Sequence, residues 1–286
     1  MTRERVTTAV IGGSGLYELF ADDAGAGSST THDLATPYGP ARVTIGDLAG
    51  TRVAFLPRHG ADHSVAPHLI NYRANIWALA SLGVRAIVSS AAVGSVSQQF
   101  PPGTLAIPDQ FIDRTHGRAD TFYDRGSVQH LAAADPFDPA LLRISSDALA
   151  GAGITVGATV VVIQGPRFST RAESRWFAAA GAHLVNMTLY PEVPLASELG
   201  MGTVTLAFVT DTDAGSTPAA ADEDELSAEL VFARLRDAQP RIIEAITAIV
   251  AAIPADYRER ELIAPDEIRA VLTRPLLANS AKAASE

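Results

Sequence analysis

The chain contains no cysteine among its 286 residues. That excludes disulfides, thiolate zinc sites and cysteine nucleophiles together. Basic residues are in deficit: 22 Lys and Arg against 32 Asp and Glu leave a formal net charge of −10. Nucleic-acid binding depends on neutralising phosphates with cations, so no nucleic-acid partner is expected. A small anionic ligand stays open, because a few oriented amides and one arginine override the global field locally. No apolar run comes near the roughly 20 residues that span a bilayer. The opening MTRERVTTAVIGG has charges and only a short apolar stretch before Gly12, unlike a secretory signal or a membrane anchor. No membrane partner is expected, and a cytoplasmic location is the default. Asn186-Met-Thr188 matches a glycosylation acceptor, which carries no weight without a secretory signal.

Complete nucleotide fingerprints are missing too. Gly12-Gly-Ser-Gly15 follows an apolar run, and such a loop exposes backbone N–H groups able to cradle a phosphate. It is not a dinucleotide fingerprint, since residue 18 is Glu, and no Gly-Lys-Ser/Thr makes it a Walker loop. Leu16 stands where a nucleophile elbow would carry its last glycine. His59 and His63 have the spacing of a zinc pair, with His68 near. Gly60 weakens a helix there and no glutamate follows His59, so no metal is expected.

Hydrophobic residues make up 47% of the chain, enough for one large α/β domain. Strands are expected at residues 7–11, 84–89, 104–107, 159–163, 184–187 and 204–209, with a hairpin over 42–45 and 52–56. Helices are expected at 68–82, stopped by Gly83, at 139–150, at 169–180 with Ser169 as N-cap, at 191–200, and as a pair at 222–237 and 240–253. The polar stretch 113–138 reads as a long functional or interfacial loop. Strands alternating with helices argue for an α/β fold: a mixed, mostly parallel sheet covered by helices, in a single domain over residues 1–264. The Ala/Ser-rich end, residues 265–286, reads as a frayed tail.

Chemistry concentrates in three pieces that each follow an apolar run: Gln164-Gly-Pro-Arg-Phe-Ser-Thr-Arg-Ala-Glu173, Asn186-Met-Thr188 and Thr210-Asp-Thr-Asp213. They bring hydroxyls, an arginine, a methionine and two carboxylates to the loops of one sheet. That set suits a phosphate, a sugar and a nitrogenous base side by side. Asp211 and Asp213 point the same way if the strand continues. A carboxyl of raised pKa there can protonate, or accept from, a ring nitrogen. Arg58-His59-Gly60 ends the second hairpin strand and offers a fork for phosphate. Ser89-Ser90-Ala-Ala-Val-Gly94 supplies small residues that let backbone approach a ligand closely.

Taken together these motifs resemble the trimeric purine nucleoside phosphorylases, specifically the 5′-methylthioadenosine phosphorylase branch. The resemblance runs from about Val6 to Ile253. Further motifs carry it in the family's order: Asn71-Tyr-Arg-Ala-Asn-Ile-Trp-Ala-Leu79, Asp109-Gln-Phe-Ile-Asp-Arg-Thr115 and Arg171-Ala-Glu-Ser174. It implies a mixed sheet partly closed into a barrel and surrounded by helices. It also implies phosphorolysis of 5′-methylthioadenosine to adenine and 5-methylthioribose 1-phosphate, with inorganic phosphate as co-substrate and no other cofactor. By resemblance, Ser14, Arg58, His59 and Thr188 hold phosphate, with Ala91 and Ala92 beside them. Met187 lies under the ribose, and Phe168 and Ser169 flank the base. Asp211 and Asp213 read N7 and the 6-amino group. His63 lies near the 5′ substituent, against a wall of Ala228, Val231 and Phe232. His130 matches a histidine donated by a neighbouring subunit of a homotrimer.

The glycosidic bond would break through an oxocarbenium-like transition state. There are departures from the family pattern. Ala91 replaces side chains that reach phosphate, and one hydrogen bond lost there costs about 1 kcal/mol. Gln164 replaces the glutamate of some adenosine-type members. Thr212 replaces an aromatic, and the segment 214–223 is longer and rich in Ala and Asp. Rival readings are a phosphorylase of a 6-oxopurine nucleoside such as methylthioinosine, or of another 5′-deoxy-5′-substituted adenosine. Others are a silent paralogue that only binds nucleoside, and a hydrolase using water. Asp rather than Asn at position 211 favours a 6-amino group, since a carboxylate accepts from N6–H and repels O6.

Overall fold

The computed structural model describes residues 6–13, 16, 29–60, 63–214 and 228–276. Among the described residues, nine strands form one sheet: β1 (Thr8–Gly12), β2 (Thr30–Thr36), β3 (Gly39–Leu48), β4 (Thr51–Pro57), β5 (Ala86–Ser95), β6 (Leu105–Arg114), β7 (Ile154–Ile163), β8 (Leu184–Asn186) and β9 (Gly202–Thr212). Their order is β2-β3-β4-β1-β5-β8-β7-β6-β9, and β9 returns to pair with β5. Strands β5, β8, β7, β6 and β9 therefore close into a five-stranded barrel, while β2, β3, β4 and β1 extend from it as an open sheet. This is the mixed, partly closed α/β sheet expected.

The strand β5 joins the two halves. One edge pairs with β1 through Ala86 to Ser89, then with β8 through Gly94 and Ser95. The other edge pairs in parallel with β9 along its whole length. Strands β1 and β9 are covered on both faces, so their sequences are near-continuous apolar runs, not alternating ones. Of the polar exceptions on β9, Thr205 shares a 2.8 Å hydrogen bond with Ser89. The β3–β4 turn places Ala49 at φ 51° and Gly50 at φ 76°. Two consecutive positive φ values suit the twist of a two-residue hairpin turn.

Helices α1 (Tyr72–Leu82), α2 (Pro139–Ala148), α3 (Arg171–Ala179), α4 (Leu189–Glu198), α5 (Ala228–Ala252) and α6 (Pro265–Leu272) surround the sheet. Helix α1 starts later than residue 68. A 3₁₀ turn at Pro67–Leu69 comes first, and the Asn71 side chain accepts from Ala74 N as the true cap. Gly83 stops it at φ 93°, as expected.

Three expectations need correction. The N-cap of α3 is Thr170, not Ser169, because Thr170 and Glu173 complete a reciprocal capping box. The expected helix pair is one helix over Ala228–Ala252, with Pro240 inside it. An interior proline costs about 3 kcal/mol. Leu235, Ile242, Ile246, Ile249 and Val250 form one buried stripe on both sides of it, and that burial outweighs the break. The expected start at residue 222 lies outside the described residues. Residues 265–272, assigned to a frayed tail, form α6: Val271 is 1% exposed and its carbonyl accepts from Trp77 Nε1 at 3.2 Å. Residues 277–286 of that tail lie outside the described residues. Among the described residues, no helix is long and apolar enough to cross a membrane.

Removing residues 265–286 should therefore destabilise the domain. Burial of one valine is worth about 2 kcal/mol, which corresponds to a fall in Tm of ~4 °C or more. An unchanged melting curve would show that α6 adds nothing to the core.

Candidate active site

A cavity of about 270 Å³ opens where β5, β7, β8 and β9 end and α5 begins. Asp211 and Asp213 form its polar end. Their placement follows from a bulge in the β5–β9 pairing: Val93 opposes Val209, but Gly94 opposes Asp211. A bulge re-aims the side chains beyond it. Gly94 is needed at that point, since a Cβ there would lie 2.9 Å from Asp211 Oδ1. Beyond the bulge, Asp213 N donates to Ser95 O at 2.8 Å. From α5, Arg234 donates to Thr210 O at 2.6 Å.

Both carboxylates are buried, at 6% and 3% exposure. Burial disfavours their charge and pushes Asp211 up to about 6. The Thr210 hydroxyl, donating to Asp211 at 2.6 Å, acts against that rise. Burial also raises Asp213, whose charge the buried Ser174 hydroxyl supports by donating to it. Ser169 Oγ is buried and has no hydrogen-bond partner, though it lies close enough to favour Asp213's charge. An unpartnered hydroxyl on a cavity wall is a ready contact for a ligand. The polar end thus pairs a carboxyl that burial raises to about 6 with a second buried carboxyl that hydroxyls support as an acceptor.

Met187 and Phe168 form further walls, with Asn186, Ala92 and Gly94. Asn186 sets the local backbone: its Oδ1 accepts from Thr188 N and Leu189 N, and its Nδ2 donates to Ala92 O. Gly165, at φ 61°, presses on Met187, where a Cβ would lie 2.6 Å from Sδ. The opposite end is apolar, built from Ala228, Val231 and Phe232 on α5 with His63. The His63 ring meets Phe232 edge-on at 5.3 Å, and desolvation lowers its pKa.

Beside the cavity lies a corner formed at the ends of β1 and β4. Arg58, almost fully buried, donates to both carboxylate oxygens of Glu192 at 2.6 and 2.7 Å and to Ser90 O at 2.9 Å. Gly13 N donates to Ser90 Oγ at 3.1 Å, and a Cβ on Gly13 would stand 3.1 Å from Arg58 Nη1. His59 Nδ1 lies 2.9 Å from Val65 O and its ring stacks near His63, 4.4 Å between centroids. Desolvation lowers its pKa to about 4, so the ring is neutral at physiological pH.

The structure thus gathers Asp211, Asp213, Ala92, Phe168, Ser169, Met187, His63, Ala228, Val231 and Phe232 around one cavity. Arg58, His59 and Thr188 are buried next to it without lining it. Ala91 is buried in an apolar cluster with Val93 and Ala207 and does not itself line the cavity. His130 is exposed and does not line the cavity of its own chain. Ser14 lies outside the described residues. Two of the departures prove remote: Thr212 is exposed, and the Gln164 side chain accepts from His116 N and Arg118, outside the cavity. Among the described residues, no group of three or more His, Asp and Glu is placed to hold a metal.

Sequence reasoning missed Glu192, Ser174, Thr210 as a carboxylate donor, and the placement of Gly94. Glu192 had a signal, since a carboxylate in the apolar run Leu189–Glu198 needs a buried cation.

Comparison with known proteins agrees with this geometry. The profile of the phosphorylase superfamily matches residues 7–251. An S-methyl-5′-thioadenosine phosphorylase of Mycolicibacterium smegmatis is 54% identical over 208 residues, 72% of this chain and 77% of that protein. A purine nucleoside phosphorylase of Streptomyces coelicolor is 43% identical over 258 residues, 86% of this chain and 89% of that protein. Among solved structures, a methylthioadenosine phosphorylase from Schistosoma mansoni in complex with adenine superposes with a TM-score of 0.80 at 31% identity, covering 93% of this chain and 96% of that one. A methylthioadenosine phosphorylase from an antarctic soil metagenomic library gives a TM-score of 0.76 at 36% identity, covering 94% and 99%. On its cavity, its closed sheet and these relationships, the chain belongs to the phosphorylase superfamily.

Proposed function

We propose that this protein cleaves 5′-methylthioadenosine with inorganic phosphate, giving adenine and 5-methylthioribose 1-phosphate. The observation that carries this is the buried Asp211–Asp213 pair facing an apolar wall across one cavity. A purine with a 6-amino group meets a proton donor at N7 and a carboxylate acceptor at N6–H. A methylthio group meets Val231, Phe232 and the ring of neutral His63. The methylthioadenosine phosphorylases among its relatives support the reading.

The reaction follows from those groups. A phosphate oxygen attacks C1′ as the C1′–N9 bond breaks, and the bonding pair moves into the purine ring. Asp211 gives its proton to N7, so the base leaves neutral. Charge on C1′ is greatest midway, and the phosphate anion beneath it is then most stabilising. The corner of Gly13, Arg58 and Thr188 is where we place that phosphate, with Ser14 of the same loop. Glu192 holds the Arg58 fork in one orientation and neutralises it while phosphate is absent. No metal or organic cofactor enters the scheme. His130, exposed on its own chain, fits completing the cavity of a neighbour in a trimer. A cytoplasmic role in purine recovery belongs to the same reading.

Incubating the protein with methylthioadenosine should release adenine only when phosphate is present. Release without phosphate would make it a hydrolase, and release of base from methylthioinosine alone would mean that Asp213 is misassigned as the acceptor from N6–H.

The acidity of Asp211 sets the pH dependence. Its folded pKa is raised to about 6, and the protonated form is the donor, so activity is lost as pH rises through that value. At saturating phosphate, kcat/KM for the nucleoside should fall tenfold per pH unit above about 6. Asp211→Asn should lower kcat/KM by roughly 100-fold or more and abolish that descent. A descent that persists in Asp211→Asn belongs to another group.

A further inference from the structure

Arg118 lies in the irregular segment between β6 and α2 and does not line the cavity. Its guanidinium nevertheless ties together the backbone of the segments that do. Nη1 donates to Met187 O at 3.0 Å and to Tyr190 O. Nη2 donates to Gln164 O at 3.0 Å and, more weakly, to Ile163 O at 3.4 Å. Nε reaches Gln164 Oε1 at 3.3 Å, and the Tyr72 ring lies 5.6 Å from the cation. Four carbonyls thus converge on one cation from the end of β7, the end of β8 and the start of α4.

These segments carry the nucleoside half of the cavity. Residues 163–164 lead to Phe168 and Ser169, and Met187 is itself a wall. Gly165 and Met187 are pressed together with no room for a Cβ. Four carbonyl dipoles aimed at one point repel each other unless a cation sits among them. A guanidinium serves them with five N–H groups spread in a plane, whereas an ammonium has three on one atom. No carboxylate is hydrogen-bonded to Arg118 among the described residues, so most of its bonding goes into backbone.

We propose that Arg118 is a positioning residue that clamps the loop after β7 against the loop after β8, fixing the distance between the base-flanking Phe168 and the ribose floor at Met187. The inference rests on the phosphorolytic reading for its kinetic readout, though not for its structural one.

Arg118→Met keeps an apolar stem and removes every donor. Loosening the site by about 1 Å lowers kcat/KM for methylthioadenosine by about 100-fold. The KM for phosphate should rise less than that for the nucleoside, because Thr188 lies in the loosened segment while Glu192 still holds Arg58. Arg118→Lys should recover less than about tenfold of the loss. In hydrogen exchange, amides of residues 163–169 and 186–190 should exchange about tenfold faster, with β1 and β4 unchanged. Arg274 is the control: away from the cavity, it ties the same irregular segment, through Phe122 O, to Tyr38 Oη beside β3, at 2.7 Å each. Arg274→Met should lower stability and leave kcat/KM within about threefold. A folded Arg118→Met with unchanged kcat/KM, or one whose exchange rises uniformly through the chain, overturns the proposal. If the wild-type protein releases no adenine with phosphate, the functional reading fails instead, and hydrogen exchange alone decides whether Arg118 is the clamp.

Discussion

The pairing of β5 with β9 is the constraint on which the rest of this structure depends. It closes the barrel, and it carries the one register shift that matters to chemistry, between Val93 and Gly94. Without the shift, strict alternation would decide which of Thr210, Asp211 and Thr212 faces the cavity. With it, Asp211 and Asp213 both face inward and Thr212 is left in solvent. Burial follows from closure, and the raised acidity of Asp211 follows from burial. The fold thus turns an ordinary surface-type residue into a group that exchanges a proton near neutrality.

Charge is distributed with the same economy. The chain is acidic overall, yet beside the cavity a buried cation, Arg58, is paired with a buried carboxylate, Glu192. Removing either partner would strand the other in the interior, at about 3–5 kcal/mol. The paired carboxylates at the opposite end are handled by hydroxyls instead, Thr210 for Asp211 and Ser174 for Asp213. Hydroxyls support a negative charge without cancelling it, which suits groups that must bind or give protons. His59 and His63 are kept neutral by burial, so the apolar end of the cavity carries no charge next to the place proposed for a thioether.

Much of this was legible in the residues themselves. Apolar runs ending in glycines, hydroxyls or carboxylates marked most strands and the loops after them, and ten of the residues named from sequence line the cavity. What was not legible depends on tertiary geometry. Pro240 reads as a boundary between two helices, and only a buried stripe continuing on both sides of it shows one helix. Residues 265–272 look like tail until Trp77 is seen to donate to Val271 O. Gly94 reads as a small residue near a ligand, while its stricter task is to leave room for Asp211 Oδ1. Arg118 disappears into a polar loop, because backbone carbonyls have no sequence signature. Gln164 and Thr212 depart from the family pattern in sequence, and neither lines the cavity.

The central claim is that one site places a protonated carboxyl at purine N7 and a phosphate on the far side of the ribose. A crystal structure with adenine and phosphate bound tests it most directly. The account predicts an Asp211 carboxyl oxygen at hydrogen-bond distance from N7, roughly 2.6–3.2 Å, Asp213 at the 6-amino group, and phosphate in the corner of Gly13, Arg58 and Thr188. Adenine bound with N7 turned away from Asp211, or phosphate bound elsewhere, would contradict it.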